Sequence, residues 1–312
     1  VERWWVEAAR HHALSPDALT DALLAGALDG NHANTSAGGA PDPVDDVALI
    51  VARLVPAPLR LVLPARATVL RELRAAVLAW ASSVGIADDD LYDLQLAVGE
   101  AAANAVEHAY RGREPGPMSV ELVRDADGGI EAHVRDEGTW RPVPEDKGYR
   151  GRGLELIRDV SSRMRLHHGP EGTEVRFRLP PSGEPAPPTP PAPAPRLTPV
   201  PVGPASLRVR RGGDGGPDTV EVRGELDLAG VRGVGEDLLA CADEGRDLMV
   251  DLRATTYLAS AGVALLVEAD RRARAAGGRM RVLVAPGDVV RRALTLSGVD
   301  ELLELVGPDT RG

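Results

Sequence analysis

Cysteine and aromatic residues are scarce in this sequence. Its 312 residues include one Cys, one Phe, four Tyr and four Trp, so hydrophobic cores must be built from Leu, Val and Ala. The lone Cys241 excludes an internal disulfide and fits the reducing conditions of the cytoplasm. No apolar run approaches the roughly 20 residues that a bilayer-spanning helix requires. We therefore expect a soluble, cytoplasmic protein that does not cross a membrane.

A targeting signal and an excess of positive charge are also absent. Residues 1–5 show no basic start followed by an apolar stretch, so no secretory signal is predicted. The first residue is Val and not Met, which we interpret as the sign of a processed chain or of a fragment of something longer. The net charge of −11 argues against binding to the nucleic-acid backbone, which needs clustered cations. We expect partners among proteins and nucleotides.

Proline, in contrast, is abundant over residues 180–205, where the sequence is PPSGEPAPPTPPAPAPRLTPVPVGPA. Such a stretch cannot form a helix or a central strand. It is typical of a semi-rigid linker that could hold flanking domains up to roughly 80 Å apart. A weaker boundary lies near residues 56–58. The predicted units are residues 1–55, residues 56–180, a linker over residues 181–205, and residues 206–312.

The second unit shows the pattern of a mixed α/β layer sandwich. Alternating segments on either side of Asp125-Ala126-Asp127-Gly128-Gly129 indicate a hairpin. The acidic run Asp88-Asp89-Asp90 suits a helix N-terminus. The predicted helices are 68–81, one that begins after the Asp88-Asp89-Asp90 cap and runs to about residue 108, and a short one from about 154. The predicted strands are 59–63, 118–124, 130–135, 164–167 and 174–179.

The second predicted helix carries the phrase LQLAVGEAAANAVEHAY, in which Glu100 and Asn104 share one face. An isolated pair of this kind usually belongs to a solvated helix face. Here it is followed by Asp136-Glu137-Gly138 at a strand end, Gly151-Arg152-Gly153 before a helix, and Gly172-Thr173 before the last strand. The ordered set is a much stronger signal than a lone Gly-x-Gly.

This order resembles the GHKL ATPase superfamily over about residues 59–180. The resemblance implies ATP as ligand, with Asn104 holding Mg²⁺ against the phosphates. It implies that Asp136 accepts a hydrogen bond from the adenine amino group and that Gly138 allows close approach. Gly151 and Gly153 would offer backbone N–H groups to phosphate at a helix start. The Gly172-Thr173 turn would complete the nucleotide site.

Within that superfamily, the short lid GYRGRGLELIRDV and the phrase GEAAANAVEHAY resemble anti-sigma-factor serine kinases. By this resemblance Glu100 is the general base that accepts the proton of a serine hydroxyl. Arg152 in the lid would contact the γ-phosphate, although a solvent-facing arginine is about equally compatible with the sequence.

Near the N-terminus, Asp45-Asp46-Val47-Ala48 resembles the last strand of SpoIIE-type phosphatases of the protein phosphatase 2C superfamily, whose domain is a β-sandwich. A surface turn is the ordinary alternative. The resemblance implies that Asp45 is a metal ligand in a C-terminal remnant of that domain. Because the companion ligands would precede this chain, we expect phosphatase activity, with Mn²⁺ or Mg²⁺, only in a longer parent.

From Leu207 onward the pattern is strand, strand, helix, strand, helix, strand, helix, which indicates a small α/β domain. The phrases GELDLAG and DLRATTYLASAGVALL resemble STAS domains of the anti-anti-sigma type. In that family the matching serine, here Ser260, is the phosphoacceptor, and Ala259 replaces the usual preceding acid. The sequence also predicts Ser260 as the N-cap of a helix over residues 261–276.

Together these resemblances imply an α/β multidomain regulator of a sigma factor that works by partner switching. The expected partners are a sigma factor or a STAS-domain protein, with the chain's own STAS domain and a homodimer as further candidates. Two alternatives stay open: an ATP-holding binding module that transfers no phosphate, and a SpoIIE-type phosphatase whose other domains are regulatory only.

Overall fold

The computed structural model describes residue 21 and residues 56–307, except for residues 87, 126, 141–151, 182–204, 214–215 and 288. The predicted phosphatase remnant with Asp45, most of the predicted linker, and Gly151 in the lid lie outside the described residues. Those assignments stay predictions.

The first unit is built on a five-stranded antiparallel sheet in the order β1-β2-β3-β5-β4. Buried and more exposed residues alternate along β2 and β3 because one face of the sheet packs on helices. The strands are β1 (Leu59–Pro64), β2 (Pro117–Arg124), β3 (Ile130–Asp136), β4 (Ser162–Gly169) and β5 (Gly172–Leu179).

Three helices accompany this sheet: α1 (Leu70–Ser83), α2 (Asp88–Asn104) and α3 (Gly153–Val160). They confirm the predicted helices within a few residues, apart from the end of α2. There the chain continues as a π-helical turn, Ala105–Ala109. π-helical turns are rare in proteins, and those that do occur are frequently found at functional sites.

The second unit contains a five-stranded mixed sheet in the order β10-β9-β8-β7-β6, in which only the β6–β7 pair is antiparallel. Val220, Val250 and Val282 lie in register on three neighbouring strands and are fully buried. Its elements are β6 (Ser206–Arg210), β7 (Asp218–Leu226), α4 (Leu228–Ala242), β8 (Leu248–Leu258), α5 (Ser260–Ala275), β9 (Met280–Leu283), α6 (Val289–Leu296) and β10 (Glu304–Val306).

The sequence pattern did not predict strand β10. With three residues, this strand is too short to show the two-residue periodicity on which the prediction rests. It pairs with β9 in parallel and closes one edge of the sheet.

The two units pack against each other, although the predicted linker would allow a wide separation. Tyr92 and Leu96 on α2 belong to the hydrophobic core of the second unit. Leu228, at the start of α4, belongs to the core of the first. Because apolar side chains from each unit are buried in the other, separation would expose them to water.

Two leucines of α2 distinguish packing within the first unit from packing between the units. Leu94→Ala should lower the free energy of unfolding of the first unit by about 2–5 kcal/mol, because this buried side chain lies in its own core. Leu96→Ala should mainly weaken the association of the two units, since Leu96 packs in the core of the second. Urea denaturation and amide exchange measure the two effects. Equal losses in unfolding free energy, with unchanged exchange at the interface, would contradict this division.

Candidate active site

Glu100 and Ser260, 160 residues apart in the chain, meet where the two units touch. The Ser260 hydroxyl donates to Oε2 of Glu100 at 2.6 Å. The Ser260 backbone N–H donates to Oε1 at 2.7 Å. Glu100 is 1% exposed, so its carboxylate is shielded from water. The structure therefore brings the predicted base directly to the predicted phosphoacceptor.

Ser260 is the first residue of α5 and not its N-cap, so the capping prediction is wrong by one residue. The N-cap is Ala259, in extended conformation and without a side-chain hydrogen bond. Backbone N–H groups in the first turn of a helix have no intrahelical acceptor. At Ser260 the carboxylate of Glu100, from the other unit, serves as that acceptor, and the hydroxyl is engaged there too.

Burial raises the pKa of Glu100 above its usual value, because the shielded site disfavours a charged carboxylate. The two hydrogen bonds from Ser260 act in the opposite direction but do not cancel this effect. A raised pKa makes a carboxylate a stronger proton acceptor near neutral pH.

Asn104 ends α2 one helical turn beyond Glu100, immediately before the π-helical turn. Its side chain lines the same cavity as Glu100 and Ser260. The buried Nδ2 atom has no hydrogen-bond partner among the described residues. An amide in this position has an oxygen that suits Mg²⁺ and an N–H donor that suits a phosphate oxygen. The residue therefore fits the predicted metal and phosphate site.

Asp136, at the end of β3, forms a second buried polar position in the first unit. Its carboxylate accepts the backbone N–H of Gly138 at 2.9 Å and a backbone hydrogen bond from Thr173. Burial raises the pKa of Asp136. Gly172 has φ +119, and a Cβ there would lie 1.9 Å from the Asp136 carbonyl oxygen. The residues predicted for adenine binding thus form one cluster.

The lid residues that the structure describes, Arg152 and Gly153, lie beside the interface. A Cβ on Gly153 would lie 2.5 Å from Glu100 Oε2, so a larger residue there would displace the carboxylate from its present position. Arg152 Nη1 donates to the backbone carbonyl of Ser297 in the second unit. Its assignment to the γ-phosphate stays a prediction.

Comparisons with known proteins cover both units. The model of the histidine kinase-like ATPase domain matches residues 63–179, and that of the MlaB-type STAS domain matches residues 209–306. The serine-protein kinase RsbW of Listeria monocytogenes is 36% identical over 128 residues, which are 36% of this chain and 80% of the relative. That of Bacillus licheniformis is 29% identical over 117 residues, 33% of this chain and 73% of the relative. This chain belongs to the RsbW family of serine-protein kinases.

A crystal structure of the RsbU and RsbW domains of a Mycobacterium tuberculosis protein is 28% identical, with a TM-score of 0.34. The match covers 40% of this chain and 32% of that one. The predicted function, regulation of a sigma factor by partner switching, is confirmed by the RsbW relatives together with the ATPase and STAS domains. An ATPase domain of this type implies ATP as the nucleotide. Within the described part of the chain, every helix is too short or too polar to cross a bilayer.

In this RsbW-family chain, sequence reasoning missed Arg74, which joins the two domains. Arg74 is 5% exposed, and its Nη2 donates to the carboxylates of Glu225 and Asp227 in the STAS domain. Its guanidinium lies 4.4 Å from the centroid of the Tyr257 ring, a distance typical of a cation–π contact. Asp227 also accepts the Gly230 N–H as N-cap of α4. The signal in the sequence was a charged residue at an apolar-face position of an amphipathic helix.

Tyr257 also makes a close contact with α2 at Gly99. A Cβ built on Gly99 would lie 2.4 Å from the tyrosine oxygen but 3.5 Å from the ring atom Cζ. The first distance is a clash and the second an ordinary van der Waals contact. Only the hydroxyl therefore requires glycine at this position.

We predict that Gly99→Ala separates the two domains and that Tyr257→Phe restores their docking. The added methyl group clashes with the Tyr257 hydroxyl, whereas Phe keeps the ring and removes the clashing oxygen. Amide exchange at the start of α5 measures docking in the two single variants and the double variant. If Gly99→Ala exchanges like the wild type, or if the double variant remains open, this contact is not what requires glycine.

Proposed function

We propose that this chain is an ATP-dependent protein serine kinase whose own STAS domain is its substrate. Ser260 is the phosphoacceptor and Glu100 is the general base. The observation that carries the proposal is the hydrogen bond from the Ser260 hydroxyl to the buried Glu100 carboxylate. A serine that donates to a base is the arrangement that phosphoryl transfer to serine needs.

In the proposed reaction the Ser260 oxygen attacks the γ-phosphorus of ATP while its proton passes to Glu100. The new bond joins Ser260 Oγ to phosphorus, and the bond between phosphorus and the bridging oxygen breaks. ADP leaves with that bonding pair. Asn104 would hold Mg²⁺, which would supply charge neutralisation at the phosphates. Asp136 positions the nucleotide base, and burial excludes water, which would compete with serine as nucleophile.

Two substitutions at the site separate nucleotide binding from chemistry. Asn104→Ala should abolish Mg²⁺-dependent ATP binding, because it removes the side-chain oxygen. Glu100→Gln should keep ATP binding and lower transfer by about 10²–10⁴-fold, the usual contribution of a general base. Calorimetry measures binding, and transfer of radiolabel from ATP measures chemistry. Equal ATP affinity in wild type and Asn104→Ala would disprove the metal assignment.

Ser260→Ala identifies the acceptor. Labelling of the STAS domain should disappear in this variant, with mass spectrometry placing the phosphate on Ser260 in the wild type. ATP affinity should be unchanged, which provides the control. Phosphate on Thr255 or Thr256, or unchanged labelling of Ser260→Ala, would show that the acceptor is elsewhere. A binding module, the main alternative, would hold ATP and label nothing.

The rate of transfer should depend on pH through Glu100. Its raised pKa means that the base becomes protonated, and transfer is lost, at a higher pH than for a glutamate with the usual pKa of 4.5. The residual transfer activity of Glu100→Gln should not show this loss of rate at acidic pH. Single-turnover rates across the acidic range test both statements. If the rate of Glu100→Gln still falls at acidic pH, the titrating group is not Glu100.

Phosphorylation would also explain how the chain changes partners. A phosphoserine adds a charge of about −1.5 to −2, which at Ser260 would face the Glu100 carboxylate. Repulsion would release the STAS domain and free Arg74 for an acidic surface on a sigma factor or on another STAS protein. We place this cycle in the cytoplasm.

We also propose that Asp45 belongs to a phosphatase-type metal site, where it would join further ligands around Mn²⁺ or Mg²⁺. A homodimer through the kinase domain is compatible with the same cycle, but the contacts described here do not depend on it.

A further inference from the structure

The STAS domain touches the kinase domain at a second place, away from Ser260. Arg292 on α6 donates from Nε and Nη2 to the two carboxylate oxygens of Asp93 on α2, at 2.9 and 2.7 Å. The Asp93 side chain is 14% exposed and that of Arg292 46%. Nearby, Arg152 donates to the carbonyl of Ser297, just beyond the end of α6. We call these four residues the distal contact.

The two parts of the distal contact carry different information. A backbone carbonyl beyond a helix can be offered by any STAS domain of this fold, so the Arg152 hydrogen bond says little about sequence. The Asp93–Arg292 pair depends on both side chains and on their charges. Two parallel hydrogen bonds also fix its geometry, because the guanidinium and carboxylate groups are planar. Of the two parts of the distal contact, only the ion pair can therefore discriminate between STAS domains.

The position of Asp93 on α2 explains why the Asp93–Arg292 pair can control the reaction. Asp93 lies seven residues before Glu100, which is about two helical turns and thus on the same side of α2. A STAS domain that lacks a cation at the Arg292 position would bury the Asp93 charge partly unpaired. A STAS domain that carries an acid there would also place two negative charges together, and this repulsion would disfavour its binding most strongly.

We propose that the Asp93–Arg292 pair is a specificity determinant that matches the kinase domain to the STAS domain of its own chain. This inference rests on the proposed function, because it names which substrate domain reaches the base. It predicts that the kinase domain rejects STAS domains without a basic residue at this place on α6. It also predicts that recognition can be reversed by exchanging the two charges.

The test measures docking without ATP in the full chain. The Ser260 amide lies at the start of a helix and donates to Glu100, so its exchange with solvent is slowed by docking. Asp93→Arg and Arg292→Asp should each speed this exchange by about tenfold or more, since each places like charges opposite one another. The chain with both substitutions should return to within about threefold of the wild-type rate, because the pair is rebuilt with reversed charges.

Arg291→Asp is the matched control, because it makes the same charge change at the neighbouring, exposed position of α6. Its exchange rate should stay within about threefold of the wild type. Circular dichroism checks that each variant is folded. Exchange in the double variant as fast as in the single variants, or a wild-type rate in either single variant, overturns the inference.

Failure of this inference and failure of the kinase proposal have different signatures. Wild-type chain that labels Ser260 but shows no charge-exchange rescue keeps the kinase function and rejects the specificity role. Rescue of docking in a chain that labels nothing supports the role of the pair in domain matching and rejects the kinase.

Discussion

A carboxylate that is removed from water must find hydrogen-bond donors, and Glu100 finds them on the other domain. Both of its oxygens accept from Ser260, one from the hydroxyl and one from the backbone N–H. The same contact gives the first backbone N–H of α5 an acceptor that the helix itself cannot supply. Separating the domains would thus leave polar groups on both sides that water alone must satisfy. The docked arrangement of the two domains depends on these hydrogen bonds between Glu100 and Ser260.

The surrounding contacts keep the carboxylate and the serine aligned. Arg74 pairs with two acids of the STAS domain and lies over Tyr257. Glycine at two positions allows the close approach, with Gly153 against Glu100 and Gly99 against Tyr257. Tyr92 and Leu96 add buried apolar contact. Ion pairs at such an interface contribute mainly to orientation and choice of partner, while the apolar contacts contribute mainly to affinity.

Under the proposed function, this geometry has two opposing effects. The hydrogen bond that would prepare Ser260 as a nucleophile also holds the domain in place, so the unmodified STAS domain covers the surface around Arg74. After phosphorylation the same closeness becomes repulsive, because a phosphate and a carboxylate would share the site. The short distance that favours transfer therefore also favours release of the product domain.

The sequence by itself determined the local features of both domains. The order of helices and strands apart from β10, the hairpin at Asp125–Gly129, and the ordered motifs around Glu100, Asn104 and Asp136 follow from periodicity and from residues close in the chain. The segment around Ser260 was enough to single out this serine. Its predicted place in the helix was off by one residue, because the acceptor that engages its hydroxyl comes from the other domain.

Only the tertiary structure decided which of these residues meet. Whether Glu100 faces Ser260 of the same chain depends on packing across an interface whose partners are separated by 160 positions, and no local periodicity reports such a contact. Arg74 and the Asp93–Arg292 pair look like ordinary charged helix residues until α1 and α2 are brought against the STAS domain. Their roles come from long-range burial and charge pairing, which depend on the distances that folding sets between residues and not on their separation in the chain.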